Sequence, residues 1–385
     1  MEEKVLSSLI YSVLVIVSMT FAVRASNNML ATTIPLLVKY NLNFNGVMIG
    51  LISAIFSVAT FFMSGFINAS LKSRERRILF ITSAIIYSIL FPFFAIANFI
   101  SVWILSIAVG FVLGALMPNI ITSASLYPDQ RIRERIVSIY TLALSLSLIV
   151  GPAIESAILT KISLRETFVF FEIFGALTAI LSFFIKFPQE ETKNTTIRAG
   201  HIFKNAGFRM SVINNLIYNV PFAMITVFGG IYAKETFHVS YSIVTLLFAL
   251  FFSTSFISRL FLTIKPPQNI PLQMLVSALL TGFGLIILLI SNNIFIYSIS
   301  FLILGIPHGL TYPLSLLTLT RSFPPELRNK ANSYFFSILT AIGTLIPIIF
   351  GLTIQFFGMK ITFIFITIFV FTLLLFLKQT SKGFE

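Results

Sequence analysis

A guanidinium keeps its charge at any accessible pH and presents a fork of donors suited to carboxylate or phosphate. Arg24 places one near the middle of the apolar stretch 7–38, one turn before Asn27 and Asn28. Charge at that depth in a membrane is costly and by default functional. One reading is an anion-binding residue for a solute. The other is an internal ion pair, or a carbonyl-capping arginine that holds its helix. No acid lies beside it in 7–38, which favours the solute. A second polar group, Asn214, Asn215, Tyr218 and Asn219, lies in the stretch 210–233. Spacing of four puts Asn215 and Asn219 on one helical face, with Asn214 and Tyr218 on the adjoining stripe. They line a cavity or act as interhelical hydrogen-bond glue.

Proton coupling needs a titratable group inside the membrane. Glu155 and Glu172 are the only acids well within predicted helices. Both lie towards the outer ends of their helices, within reach of Lys161 and Arg165, so a structural ion pair is the alternative to a proton carrier. His308, at mid-depth in the stretch 294–320, is a proton carrier, a solute ligand or a packing histidine.

Covalent chemistry has little to work with. Asp129 is the only aspartate, and no G-x-x-x-x-G-K-[ST] phosphate loop occurs. His201, His238 and His308 lie in separate segments of a chain without cysteine, which gives no metal-ligand spacing. The Gly282-Phe283-Gly284 pair falls in an apolar span, where helix packing explains it. No catalytic residue, cofactor or metal is expected, and the chain is not read as an enzyme.

The elements that must hold these residues are membrane helices. Hydrophobic residues make up 57% of the chain and charged residues 10%, with mean hydropathy +0.98. A soluble domain is about a quarter charged. A spanning helix needs about 20 apolar residues. Twelve stretches qualify: 7–38, 46–67, 78–97, 100–126, 136–159, 166–186, 210–233, 241–263, 270–290, 294–320, 331–354 and 361–377. Backbone polar groups at membrane depth must be satisfied internally, so the fold expected is an all-α membrane protein.

The net charge of +13 is explained by its placement. Five cations, Lys39, Lys161, Arg165, Lys234 and Lys360, fall on one side; twenty, Arg259 among them, fall on the other, with Arg24 inside. The positive-inside rule then puts both termini in the cytoplasm. The basic loops face anionic lipids, and no nucleic-acid partner is needed. The start, MEEKVLSSLIYSVLVIV, has a mixed-charge front and no small-residue cleavage site, so it reads as a first permanent helix.

The chain repeats at an offset of 195 residues. Asn98 falls on Asn293, Gly110 on Gly305, Gly114 on Gly309, Pro118 on Pro313, Arg133 on Arg328, Ser138 on Ser333 and Pro152 on Pro347. Thr167/Thr362, Phe168/Phe363, Phe170/Phe365 and Phe174/Phe369 continue the register. Arg24 falls on Asn219. The long polar interruption reads as a solvated linker. The domains expected are therefore an N-terminal six-helix bundle (1–187), a cytoplasmic linker (188–209) and a C-terminal six-helix bundle (210–385). A long-period repeat of hydrophobic helices is the mark of a two-bundle secondary transporter.

The 6+6 arrangement, the central loop, and the basic loops after the second, fourth and tenth stretches resemble the major facilitator superfamily. The related loops from Pro128 to Arg135 and from Pro324 to Lys330 carry part of that likeness, as does the Gly151-Pro152 pair. In the loop after the second helix, the leading Gly65 and the cluster Lys72, Arg74, Arg76, Arg77 follow the family pattern. Ala69 stands where the family has aspartate, and the second glycine is missing. In the fifth helix the antiporter pattern Gly-Pro-x-x-Gly-Gly survives as Gly151-Pro152 followed by Glu155-Ser156. The resemblance implies two pseudo-symmetric six-helix bundles, with the first, fourth, seventh and tenth helices lining a central cavity. By that resemblance Arg24 and Asn219 face each other at mid-depth, and Asn119, His308 and Tyr312 join Asn27, Asn28, Asn215 and Tyr218 as solute-binding residues.

The function expected is proton-coupled secondary transport, by alternating access, of a small organic solute that is anionic or amphipathic. Export is slightly favoured by the antiporter motif, while Arg24 fits anion–proton symport equally well. Arginine standing where many drug exporters carry an acid argues against a mainly cationic solute. Glu155 leads Glu172 as the proton site. A proton-coupled organic-anion importer, a non-transporting scaffold or sensor, and a lipid-handling relative are the alternatives. The expected setting is the plasma membrane, as a multi-pass monomer whose partners are the solute, protons and lipids.

Overall fold

The computed structural model describes residues 2–68, 70–124, 130–187, 202–265, 267–323 and 325–382. Ala69, Pro128, Asp129, Pro324, His201 and the linker residues 188–201 lie outside them, as do the side chains of Arg133 and Arg328. The described residues are helical almost throughout: α1 (Glu2–Tyr40), α2 (Gly46–Asn68), α3 (Ser73–Ala95), α4 (Ser101–Ala124), α5 (Gln130–Ile158), α6 (Leu164–Ser182), α7 (Ala206–Phe237), α8 (Tyr241–Ile264), α9 (Ile270–Ile290) and α10 (Ile294–Ser322). A last apolar run is broken at Gly358, whose φ of 80° leaves the helical region, giving α11 (325–357) and α12 (359–381). Glycine adopts that conformation without the Cβ clash another residue would meet. Ten of the described helices, with α11 and α12 taken as one and α6 not among them, are long and apolar enough to cross a membrane, against the twelve stretches expected.

The helix starts follow capping chemistry. The side chains of Ser163, Asn205, Ser240, Asn269 and Asn293 each accept from the backbone N–H three residues on. This satisfies a donor that the helix leaves open. Two turns are π-wound, Met63–Asn68 at the end of α2 and Ile225–Gly229 within α7.

Contacts divide the chain into two compact units, residues 1–43 with 55–194, and residues 44–54 with 195–385. In the first, α1 packs on α5 and α6, and α3 on α4 and α6. Its core is aromatic, with Phe94 stacked on Phe168 at 5.2 Å and Tyr87 edge-on to Phe91. In the second, α10 packs on α7, α8 and α9. The first turns of α2 belong to this unit, where Gly46 lies against Gly351 and Gly50 against Pro347.

Each unit uses the repeated residues the same way. A Cβ at Gly110 would sit 2.5 Å from the Phe56 carbonyl oxygen, and one at Gly114 2.5 Å from that of Thr60. In the second unit Gly305 abuts the carbonyl of Phe251 and Gly309 that of Ser255. Phe56 and Phe251, like Thr60 and Ser255, are themselves 195 apart. Small residues four apart are what let membrane helices bring their backbones together. The pair Asn98/Asn293 caps the following helix in both units, accepting from Ser101 N at 2.9 Å and from Ile296 N at 3.0 Å. The Thr167 and Thr362 hydroxyls each donate to the carbonyl one turn back.

Candidate functional site

The first unit assembles its polar group where α1 meets α5. Gly151 permits the approach, since a Cβ there would lie 3.1 Å from the Ala25 Cα. The neighbouring Arg24 is half-buried and hydrogen bonded to the Tyr140 hydroxyl of α5. Its Nε is buried and without a partner, as are Asn27 Oδ1 and Asn28 Nδ2. A buried donor or acceptor left unmatched costs about 1–3 kcal/mol, and these three share one helix face. On another face, the Ser26 hydroxyl bonds Tyr87 of α3 at 2.8 Å. Tyr140 escapes a reading based on charged and amide residues. Its signal lies in the repeat, where its partner is Phe335, so the hydroxyl is a departure from the symmetry, as Arg24 departs from Asn219.

Further along the same pair of helices, Glu155 is fully buried. The Thr33 hydroxyl of α1 donates to its Oε1, and Oε2 has no partner. The ion pair weighed for it with Lys161 or Arg165 is not formed. Arg165 instead donates to the Ala95 and Ala97 carbonyls, at 2.7 and 3.0 Å, closing the C-terminal end of α3. Glu172 is elsewhere, half-buried between α6 and α3, accepting from Ser88 Oγ at 2.7 Å. Asn119 is buried in α4 and donates to Asn68 Oδ1 of the π turn at 2.7 Å and to the Ala115 carbonyl at 2.8 Å.

The second unit gathers its predicted residues between α7 and α10. Asn214 Nδ2 donates to the Thr311 carbonyl (3.1 Å) and Ser315 Oγ (3.0 Å). Asn215 Nδ2 donates to Ser315 Oγ and to the Ser211 carbonyl (3.0 Å). The half-buried Asn219 reaches Asn215 Oδ1 at 3.3 Å. The Tyr218 hydroxyl bonds His308 Nδ1, and the imidazole is ringed by Phe222, Phe251 and Phe252 at centroid distances of 4.8, 5.4 and 5.4 Å. Tyr312, one turn after His308, is half-buried against Phe336. The asparagine pair thus cross-links two helices, while Asn219, His308 and Tyr312 keep partial exposure.

Arg259 is the residue that counting charges missed. Grouped with the cytoplasmic cations, it lies inside α8 with its Nε buried. It sits close enough to act electrostatically on Tyr218, His308 and Tyr312. Its backbone nitrogen abuts Gly309, next to His308. The sign available in the sequence is its place one turn after Ser255 and beside Ser258, on the buried polar side of the helix.

Comparison with known proteins agrees with this architecture. No curated protein sequence matches the chain. Among solved structures, a bacterial homolog of the human lysosomal transporter Spinster in an inward-facing, occupied conformation is 14% identical. The likeness covers 98% of this chain and 97% of that one, with TM-score 0.73. A mutant of the nucleoside transporter NupG is 15% identical over 97% of this chain and 99% of that one, with TM-score 0.75. A mutant of the peptide transporter POT is 14% identical over 97% and 94%, with TM-score 0.80. At such identity the likeness shows the fold. The sequence pattern of the Major Facilitator Superfamily matches residues 16–266 and 269–383. With helices almost throughout the described residues, internal symmetry and this match along nearly its whole length, the chain belongs to the Major Facilitator Superfamily, as a multi-pass membrane protein.

Proposed function

We propose that this secondary transporter moves a small organic anion, or an amphipathic solute bearing an anionic group, across the plasma membrane by alternating access, coupled to protons. The observation that carries the reading is the Arg24 group. A guanidinium Nε and two amide atoms on one face of α1 are buried without partners, and Arg24 is the lone charge in the apolar stretch 7–38. A carboxylate or phosphate supplies the acceptors that such a fork takes up. Glu155 is the proton site in this reading. It is a carboxyl deep in an apolar bundle, held by a single hydroxyl and with no cation against it. In the second unit, Tyr218, His308 and Tyr312 are the solute-binding candidates. The protein works as a monomer with both termini cytoplasmic, and the transported molecule leaves chemically unchanged.

Proton flux into proteoliposomes, read by an internal pH dye as organic anions and cations are added in turn, tests the proposal. Flux triggered by anions supports it, and the sign of the flux gives the direction, export being expected. Flux triggered by cations instead removes Arg24 from the solute site.

A further inference from the structure

The unpartnered atoms on α1 differ in kind. Arg24 Nε–H and Asn28 Nδ2 are donors, whereas Asn27 Oδ1 is an acceptor. Arg24, Asn27 and Asn28 stand at i, i+3 and i+4, which places them on one helix face with Cβ atoms about 5–6 Å apart. A carboxylate offers only acceptor oxygens. It meets the needs of Arg24 and Asn28, but against Asn27 Oδ1 it would set acceptor against acceptor. Among the described residues none donates to that oxygen: the neighbouring hydroxyls of Ser26 and Thr32 are turned away, to Tyr87 and the Ala22 carbonyl, and to the Asn28 carbonyl.

We infer that the solute held by Arg24 carries a hydrogen-bond donor, a hydroxyl or an amide N–H, adjacent to its anionic group, and that Asn27 reads it. The substrate class is then a 2-hydroxy or 2-acylamino carboxylate rather than a simple carboxylate. This inference rests on the Arg24 reading and goes beyond it by naming the second recognition element. Enclosed polar groups discriminate strongly in this direction. A site built to bond a hydroxyl rejects the analogue lacking it, because its own buried group is then left unmatched. A carbonyl at the same carbon does not substitute, since it brings another acceptor.

The test is isothermal titration of the full chain in nanodiscs with mandelate, phenylacetate and phenylglyoxylate. These three amphipathic anions share a ring and a carboxylate, and differ at the carbon beside it. Mandelate is expected to bind at least about tenfold tighter than either of the others. Asn27→Leu should collapse the ratio of mandelate to phenylacetate affinity towards one. Asn27→Ala, the smaller change, gives the same readout should the leucine variant fail to fold, and Asn27→Gln should retain the preference. Equal affinity for mandelate and phenylacetate in the unaltered protein, with binding lost in Arg24→Gln, would overturn the inference and leave the anion reading standing. No binding of any of the three would overturn both.

Discussion

The Tyr140 hydroxyl of α5 is hydrogen bonded to the Arg24 guanidinium of α1, so the membrane-embedded charge is held by a neutral partner within its own unit. A neutral partner fixes the orientation of the fork and leaves its charge to be matched by something else. Arg24→Gln should therefore abolish binding of organic anions while the protein still folds, as judged by monodisperse gel filtration and an unfolding transition near that of the parent. Arg24→Lys, which keeps charge but loses the fork, should bind more weakly than the parent and better than the glutamine variant. Loss of the folded protein in both variants would make Arg24 structural.

Tyr140→Phe isolates the orienting bond. Hydrogen bonds to charged groups contribute about 1.5–3 kcal/mol. The variant should lose stability of that order in denaturant titrations in mixed micelles, and its anion affinity should fall by less than in Arg24→Gln. An unchanged unfolding midpoint would mean that the pair contributes nothing.

Glu155→Gln keeps an oxygen for the Thr33 hydroxyl but cannot release a proton. Solute-driven proton flux in proteoliposomes should disappear in this variant. Glu172→Gln, whose partner is Ser88 on a different pair of helices, should carry proton flux at a rate near that of the parent. Equal losses in the two would remove Glu155 from its special place.

The repeated glycines give a prediction about stability. Gly110→Ala and Gly305→Ala each press a methyl onto a backbone carbonyl of the neighbouring helix, which cannot swing aside as a side chain would. Overpacking of this kind costs about 1–3 kcal/mol. Gly343→Ala, with open space around the new methyl, should be neutral or stabilise by up to about 1 kcal/mol through helix propensity. Thermal unfolding of the three side by side checks the order.

Ser315 is the hub between α7 and α10, accepting from both Asn214 and Asn215 and donating to the Thr311 carbonyl at 2.9 Å. A typical interhelical hydrogen bond in a membrane is worth about 0.6 kcal/mol. Ser315→Ala should cost more, about 1–3 kcal/mol, because it strands buried amide donors. A loss no larger than the typical single bond would show that the amides find other partners.

The sequence alone determined the class of this protein. Membrane helices are local objects whose backbone bonds close within each segment, so hydropathy and length locate them without tertiary information. The offset of 195 predicted equivalent roles for Gly110 and Gly305 and for Asn98 and Asn293, and each pair makes the same contact in its unit. Arg24 was legible because charge inside an apolar run is conspicuous. What tertiary structure decided was partnership. Lys161 and Arg165 lie near Glu155 and Glu172 in sequence, yet Thr33 and Ser88 are the residues that touch them. Asn214 and Asn215 could have faced a cavity or a helix, and they bond α10. Arg259 was counted only among the cytoplasmic cations, and the fold sets it beside His308's helix. The physical reason is the same in each case. The i, i+4 rule fixes which residues share a face of one helix, but the rotation and neighbour of that face depend on close approaches such as Gly151 on Ala25 and Gly309 on α8, which form only when the bundle is complete.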